Sequence, residues 1–356
     1  MEYVQERVTT LHDFGDARPD APTDRATVVV PMTDRDHASL AAERALTALE
    51  RVDPERVVIA LRATGDAVED VVTWVDGFDL RTDVLWCTAP GVESRLSEEG
   101  LDGDAGKGRD VWLALGHAAD AEYVVVHDAD ATTYDRTHVP RLLFPLAHGY
   151  EFSKGYYARV ENDRLYGRLC RLFFAPLVAA LADHHDDPIL EYFGAFRYPL
   201  AGEFAVTGDL ARRLQAQRGW GLEIGTLGEV YPVAGFDGSA QVDLGVHEHD
   251  HRSVGGPEGL GDMSREVGNA LFHALGDAGL DVDFDALPDR YRKHARRLVD
   301  QYAADARFNG LTYDPVAERE QVDTYADAIA PPDEDRRLPA WRDAPIDPAA
   351  IQSLSR

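Results

Sequence analysis

Four short, unbroken apolar runs, alternating with stretches of helical periodicity, fill the first third of the chain and decide what it can fold into. They are Ala26-Thr27-Val28-Val29-Val30-Pro31-Met32, Val57-Val58-Ile59-Ala60-Leu61, Val84-Leu85-Trp86-Cys87 and Tyr123-Val124-Val125-Val126-His127. Each is too short for a helix and shows no polar alternation, the pattern of a strand buried on both faces. Between them, residues 36–50 place Leu40, Ala41, Ala45, Leu46 and Leu49 on one stripe, and residues 66–77 turn Val68, Val71, Val72 and Val75 inward. Residues 107–119, after a Gly/Asp-rich loop, read as a further helix. Strand and helix in alternation predict an α/β fold with a mostly parallel sheet flanked by crossover helices. Such sheets bind ligands beyond the carboxyl ends of their strands, so the residues just after Val30, Leu61, Cys87 and Val126 are site candidates.

The second half changes character. Residues 150–159, 203–207 and 239–249 read as strands, 164–183 as a long helix, with another helix starting near Gly221. From about 264 to 329 the pattern is helical, with Leu271, Leu275, Leu298 and Tyr302 as core contacts. Residues 1–24 read as an irregular polar arm. The Pro- and Asp-rich tail from Pro331 reads as a surface wrap or a mobile end.

Charge narrows the function classes. The 356 residues hold 64 acidic and 36 basic side chains, a net charge of −28. A nucleic-acid or anionic-membrane surface needs basic patches, so both are excluded. Asp outnumbers Glu 42 to 22, and only Lys107, Lys154 and Lys293 are lysines. That bias fits the cytoplasm of a salt-accumulating halophile, where high salt screens self-repulsion. It also makes each retained lysine a candidate for a specific task. Two cysteines make no disulfide framework, and no apolar run approaches the ~20 residues of a membrane span, so a cytoplasmic protein without membrane insertion is expected.

Asp128-Ala129-Asp130 follows the fourth apolar run directly, and hard carboxylate oxygens there suit Mg²⁺ or Mn²⁺ bridging phosphates. A solvated acidic turn is the alternative. His247, His249 and His251 extend the alternating run that ends at Val246; if the strand continued, all three would share one face and could ligate a metal. Exposed polar residues at a strand end are the alternative there. Gly106-Lys107-Gly108 opens a helix, placing a cation and a backbone free to approach a ligand at an anion-favouring terminus, or merely capping it. Glu203 and Glu223 each sit among small residues, where a carboxylate can accept sugar hydroxyls or cap a helix. Together these elements have the layout of a nucleotide-sugar transferase of the GT-A type.

The chain resembles the glucosyl-3-phosphoglycerate synthases, glycosyltransferase family 81. The stretches that carry the likeness are GKG (106–108), DAD (128–130), PLAGE (199–203), GWGLEIG (219–225) and QVDLGVHEH (241–249). The resemblance implies a dimeric, cytoplasmic GT-A enzyme that uses Mg²⁺ or Mn²⁺ and retains the anomeric configuration. It implies a catalytic domain over 25–255, with a nucleotide-sugar half (25–135) and an acceptor half (136–255), after the arm 1–24 and before a helical extension and tail (256–356). By motif position, Asp130 and His249 would hold the metal. Pro31, Met32, Thr33, Lys107, Asp128 and Ala129 would meet the nucleotide sugar, UDP-glucose being favoured and a GDP-sugar possible. Glu223 and the Leu200 carbonyl would lie at the transferred sugar. Arg164, Tyr166, Trp220, His247 and His251 would face the acceptor, 3-phosphoglycerate or a similar small acid.

Three segments depart from the family pattern. Pro31-Met32-Thr33-Asp34-Arg35 stands where the family reads like P-A-L-N-E, Ala60-Leu61-Arg62-Ala63-Thr64 where it has a polar turn, and Asp163-Arg164-Leu165-Tyr166 where it has Gly-Arg-x-Thr. A mannosyl-3-phosphoglycerate synthase, an inverting family 2 transferase and a non-catalytic nucleotide-sugar sensor are the rival readings. The product anomer separates the second, and donor binding without turnover would mark the third.

Overall fold

The structure, a computed structural model, describes residues 5–248 and 257–355, and the side chains of 257–260 fall outside that description. His249 and His251 therefore lie outside the described residues.

The strands are β1 (Thr9–Leu11), β2 (Ala26–Thr33), β3 (Arg56–Arg62), β4 (Thr82–Trp86), β5 (Tyr123–Val126), β6 (Phe152–Ala158), β7 (Val160–Glu161), β8 (Arg164–Leu165), β9 (Phe204–Thr207) and β10 (Ser239–Val246). Among the described residues, eight of them form one sheet in the order β1-β10-β6-β9-β5-β2-β3-β4, and β7 pairs with β8 alone. All neighbours in the large sheet run parallel except β9, which is antiparallel to both β5 and β6. The chain leaves β2 toward β3 and β4, then returns to place β5 on the other side of β2. The β2/β5 boundary is thus a topological switch point, where open α/β sheets bind ligands.

The apolar runs behave as expected for strands covered on both faces. Val28, Val30, Val57, Ile59 and Val125 pack into one buried layer, and Val29, Val58, Ala60, Val124 and Val126 into the other. Helices α1 (Leu40–Val52), α2 (Gly65–Val75), α3 (Pro90–Glu98), α4 (Lys107–Ala118) and α5 (His138–Ala147) lie between and beside these strands. Farther on come α6 (Ala175–Ala182), α7 (Pro188–Ala195), α8 (Gly208–Ala211), α9 (Leu222–Ala234), α10 (Pro257–Asp277), α11 (Leu287–Phe308), α12 (Pro315–Ala326) and α13 (Pro348–Leu354).

Four expectations are corrected. The arm is not irregular throughout, because Thr9–Leu11 adds an edge strand beside β10. The helix expected over 164–183 starts later: Asn162 and Asp163 take φ of +48° and +56° and turn the chain into the β7–β8 hairpin. Paired positive φ values are what a two-residue hairpin turn demands, and Asn and Asp tolerate them. A π-helical segment, Leu169–Phe174, then leads into α6. The histidine-bearing strand expected over 239–249 stops early, at Val246, since the β10 ladder shifts register between Asp243 and Val246 and Gly245 adopts φ +84°. The shared face expected for His247, His249 and His251 rests on an unbroken strand that ends at Val246.

The fourth correction is the tail. Leu338 exchanges backbone hydrogen bonds with Ala216, and Trp341 stacks on Trp112 of α4 at 4.2 Å between ring centroids. Each indole N–H donates to a carbonyl on the opposite side, Trp341 to Trp112 (2.6 Å) and Trp112 to Pro339 (2.7 Å). Ile346 and Ile351 are buried as well. The tail is a clamp on α4, the helix that begins with Lys107.

Candidate active site

A cleft of about 440 Å³ opens at the carboxyl ends of β2 and β3 and beyond β5. Pro31, Met32 and Thr33 supply one wall, Lys107, Asp128, Ala129 and Asp130 the centre, and Trp220 the far side. These eight residues, expected at the donor, metal and acceptor positions, are brought together as the switch-point topology requires.

Local chemistry shapes each wall. Thr33 ends β2 by donating its backbone N–H (2.7 Å) and its hydroxyl (2.9 Å) to Asp36, which fixes the turn behind the cleft. Gly106 and Gly108 let α4 approach the 217–219 segment: a Cβ at Gly108 would sit 1.9 Å from the Gln217 carbonyl. The Arg109 N–H donates to the Arg218 carbonyl at 2.9 Å across this contact. The glycines of the GKG turn thus serve a backbone-to-backbone approach that sets the position of Lys107.

Lys107 is the electrostatic centre. Its Nζ lies 2.7 Å from Asp128 Oδ1 and 2.9 Å from Glu223 Oε1. Burial opposes its charge, but Asp128 and Glu223 outweigh that and hold the ammonium well above the ordinary lysine range. Glu223, at the start of α9, is itself buried and reaches the cleft through this lysine. Gly202 packs on the same pair, for a Cβ there would meet Asp128 Oδ2 at 2.4 Å and Lys107 Nζ at 2.9 Å. Leu200 sits two residues earlier in that turn, partly buried against the core and outside the cleft lining.

Other expected residues lie elsewhere. Arg164 is exposed on β8, where it bridges to Thr312, and does not line the cleft. Tyr166 follows it, with its N–H on the Arg159 carbonyl at 2.9 Å. His247 is buried rather than displayed: its ring stacks on Tyr157 at 4.0 Å and 11°, and Nε2 lies 3.9 Å from Glu203 Oε1.

The cleft also recruits Arg62, one of the strand-end candidates, and two residues that were not expected, Arg218 and Glu266. Arg62 at the end of β3 lies 3.0 Å from the buried Asp110, and both line the cleft. Arg218 donates to the carbonyls of Leu101 (3.0 Å) and Arg336 (2.9 Å), and Glu266 accepts the Trp220 N–H at 2.6 Å. Arg62 was legible in principle, because the residue after Leu61 stands at a strand's ligand end. Arg218 and Glu266 carry no local signal and are brought in by tertiary packing.

A divalent cation fits the donor chemistry at the DAD turn. Asp128 is engaged by Lys107, while Asp130, two residues on, lines the cleft with hard carboxylate oxygens. Among the described residues no three His, Cys, Asp or Glu side chains converge as a metal cage, so Asp130 would need a partner such as His249 from outside them.

Comparisons with known proteins point to one family. No protein-family model matches the chain. The glucosyl-3-phosphoglycerate synthase of Methanococcoides burtonii is 33% identical over 381 residues, covering 96% of this chain and 93% of the relative. That of Persephonella marina is 36% identical over 292 residues, covering 77% and 72%. Among solved structures, the Mycobacterium tuberculosis glucosyl-3-phosphoglycerate synthase with Mn²⁺, UDP and glucosyl-3-phosphoglycerate superposes with a TM-score of 0.55 at 27% identity. That match covers 70% of this chain and 80% of the other. The same enzyme with Mn²⁺, UDP-glucose and phosphoglyceric acid gives 0.57 at 26% identity, covering 76% and 88%.

Proposed function

The chain belongs to the glucosyl-3-phosphoglycerate synthase family, and from that premise we propose how its cleft moves glucose from UDP-glucose to 3-phosphoglycerate. The fold is GT-A and the protein is a glycosyltransferase that uses a divalent metal and a UDP-glucose donor. The mannosyl, family 2 and sensor readings are not favoured, because the relatives carry the glucosyl name and a solved neighbour holds UDP-glucose with phosphoglyceric acid.

The observation that carries the reading is the convergence of Lys107, Asp128 and Asp130 at the β2/β5 switch point. Pro31, Met32, Thr33 and Ala129 line the space a nucleotide diphosphate would take. Asp130, with His249, would hold the metal, which when bound neutralises charge on the departing diphosphate. Lys107 adds a fixed positive charge beside that group and is itself held by Asp128 and Glu223. Glu223 and the turn bearing Leu200 would face the transferred sugar. Trp220 closes the acceptor side of the cleft, whereas Arg164, Tyr166 and His247 lie off its lining and His251 falls outside the described residues.

The acceptor hydroxyl is the free one on C2 of 3-phosphoglycerate. Attack from the face the diphosphate leaves, with retention at the anomeric carbon, is the stereochemistry proposed for this transfer, as the family resemblance implies. The enzyme is read as a cytoplasmic homodimer of a salt-rich cell; among the described residues no helix is long and apolar enough to cross a membrane. Incubation with a panel of UDP- and GDP-sugars against phosphoglycerate, glycerate and glycerol phosphate, with Mn²⁺ and molar KCl, tests the reading. Nucleotide release greatest with UDP-glucose and 3-phosphoglycerate supports it, and release that ignores the acceptor refutes it.

A further inference from the structure

Lys154 is the second of the three lysines and lies beneath the cleft rather than in it. It sits on β6, in register with Phe204 of β9 and Gln241 of β10, and is 1% exposed. Its Nζ donates to the Ala201 carbonyl at 2.7 Å and makes no ion pair among the described residues. A buried charge without a paired counter-ion costs several kcal/mol, and a Met or Leu would fill the same volume without that cost. Packing alone therefore does not account for it, least of all in a chain with 33 arginines and 3 lysines.

The lysine's surroundings indicate its task. Its one hydrogen bond fixes the turn that carries Leu200, Ala201 and Gly202. The next residue, Gly155, donates its N–H to the Glu203 carbonyl at 2.9 Å, so β6 grips the turn at two points. Gly202, between those points, packs on Asp128 and Lys107. The charged groups facing Lys154 are Glu223 from α9, Glu203 at the foot of β9, Lys107 from α4 and Asp128 after β5. Cys170, on the π-helical segment, is also close enough to feel the charge, but burial pushes its thiol up to about 12 and keeps it neutral.

We propose that Lys154 is a positioning residue of glucosyl transfer: its positive charge holds the 199–203 turn, with Glu203 and Glu223, in the arrangement the transition state requires. The inference rests on the functional reading above. Burial pushes the ammonium down to about 8 against the pull of Glu223 and Glu203, so the charge is lost within an accessible pH range.

Lys154→Gln keeps a donor for Ala201 and removes the charge; Lys154→Met removes both. Assayed with UDP-glucose, 3-phosphoglycerate and Mn²⁺, both are expected to lose about 100-fold in kcat with the UDP-glucose KM changed by less than about threefold. Their thermal midpoints stay within about 3 °C of wild type, because a neutral side chain removes the desolvation cost. Wild-type kcat falls above about pH 8, and the Gln variant lacks that limb. A Gln variant within threefold of wild type overturns the inference, as does a wild-type kcat that is flat through pH 9.5. If the variants fail to fold, the wild-type profile decides by the same criterion. A wild type that transfers no glucose sinks the functional reading and this inference with it, whereas an active wild type matched by its Gln variant sinks this inference alone.

Discussion

Lys107 Nζ and Asp128 Oδ1 stand 2.7 Å apart, one at the first residue of α4 and the other two residues past β5. That contact joins the two halves of the cleft, since Lys107 also reaches Glu223 on α9 at 2.9 Å. Charge-assisted hydrogen bonds of this kind contribute roughly 1.5–3 kcal/mol each. Lys107→Ala should therefore lower kcat/KM for UDP-glucose by about 100-fold, measured by initial rates. An unchanged kcat/KM would leave the lysine as a helix-terminal packing residue.

Asp130→Ala should abolish turnover, and so should chelation of the wild-type protein. Adding Mn²⁺ back restores the chelated wild type and leaves the variant inactive, because the carboxylate rather than the metal supply is missing. Full activity of either the variant or the chelated protein contradicts the metal assignment.

Trp341 anchors the tail on the helix that begins with Lys107. The ring covers Gly116 so closely that a Cβ there would lie 2.3 Å from it, and both indole N–H groups are bonded across the contact. Trp341→Ala should cost about 3–5 kcal/mol of stability, as a large buried aromatic does when truncated. Denaturant unfolding checks it; a loss below about 1 kcal/mol means that the tail is a passive wrap.

The parallel half of the sheet was legible because both its faces are buried, so Val28 to Val30 or Val57 to Leu61 declare a strand without alternation. The DAD turn followed from the rule that ligands gather at strand ends, and Lys107 from the scarcity of lysine and its glycine-flanked helix terminus. The tail was not legible, because Leu338, Trp341, Ile346 and Ile351 are scattered among Pro and Asp and gain meaning only against α4. The β7–β8 hairpin did carry a signal, in Asn162-Asp163, but the helical periodicity downstream masked it. His247 misled because a strand's alternation was extended through Gly245, where the backbone turns to positive φ. Lys154 was legible only as a scarce residue type; what it holds depends on β9 and the 199–203 turn lying beside it.

Two buried groups act oppositely on acid stability. Burial raises Asp110 to about 6 from an ordinary 3.8, outweighing Arg62 and Arg109. The folded state then binds the proton more tightly than the unfolded one, so this contribution is present below pH 3.8 and lost as pH rises through 6. Burial lowers His127 to about 4 from 6.5, so its contribution is present above pH 6.5 and lost as pH falls through 4. Asp110→Asn should thus gain stability relative to wild type between pH 4 and 6, on the order of 2 kcal/mol. His127→Gln should flatten the acid loss over the same interval. Urea midpoints of the three proteins at pH 4, 5, 6 and 7 check both signs, and parallel curves would refute them.

The central claim is tested most directly by the product itself. Wild-type protein with UDP-glucose, 3-phosphoglycerate and Mn²⁺ in molar KCl should release UDP and form a phosphorylated glucosylglycerate. Its anomeric proton should show the small coupling of an α-linkage by NMR, the same configuration as the donor. A β-linked product would contradict retention, and UDP release with free glucose as the only sugar product would contradict the acceptor.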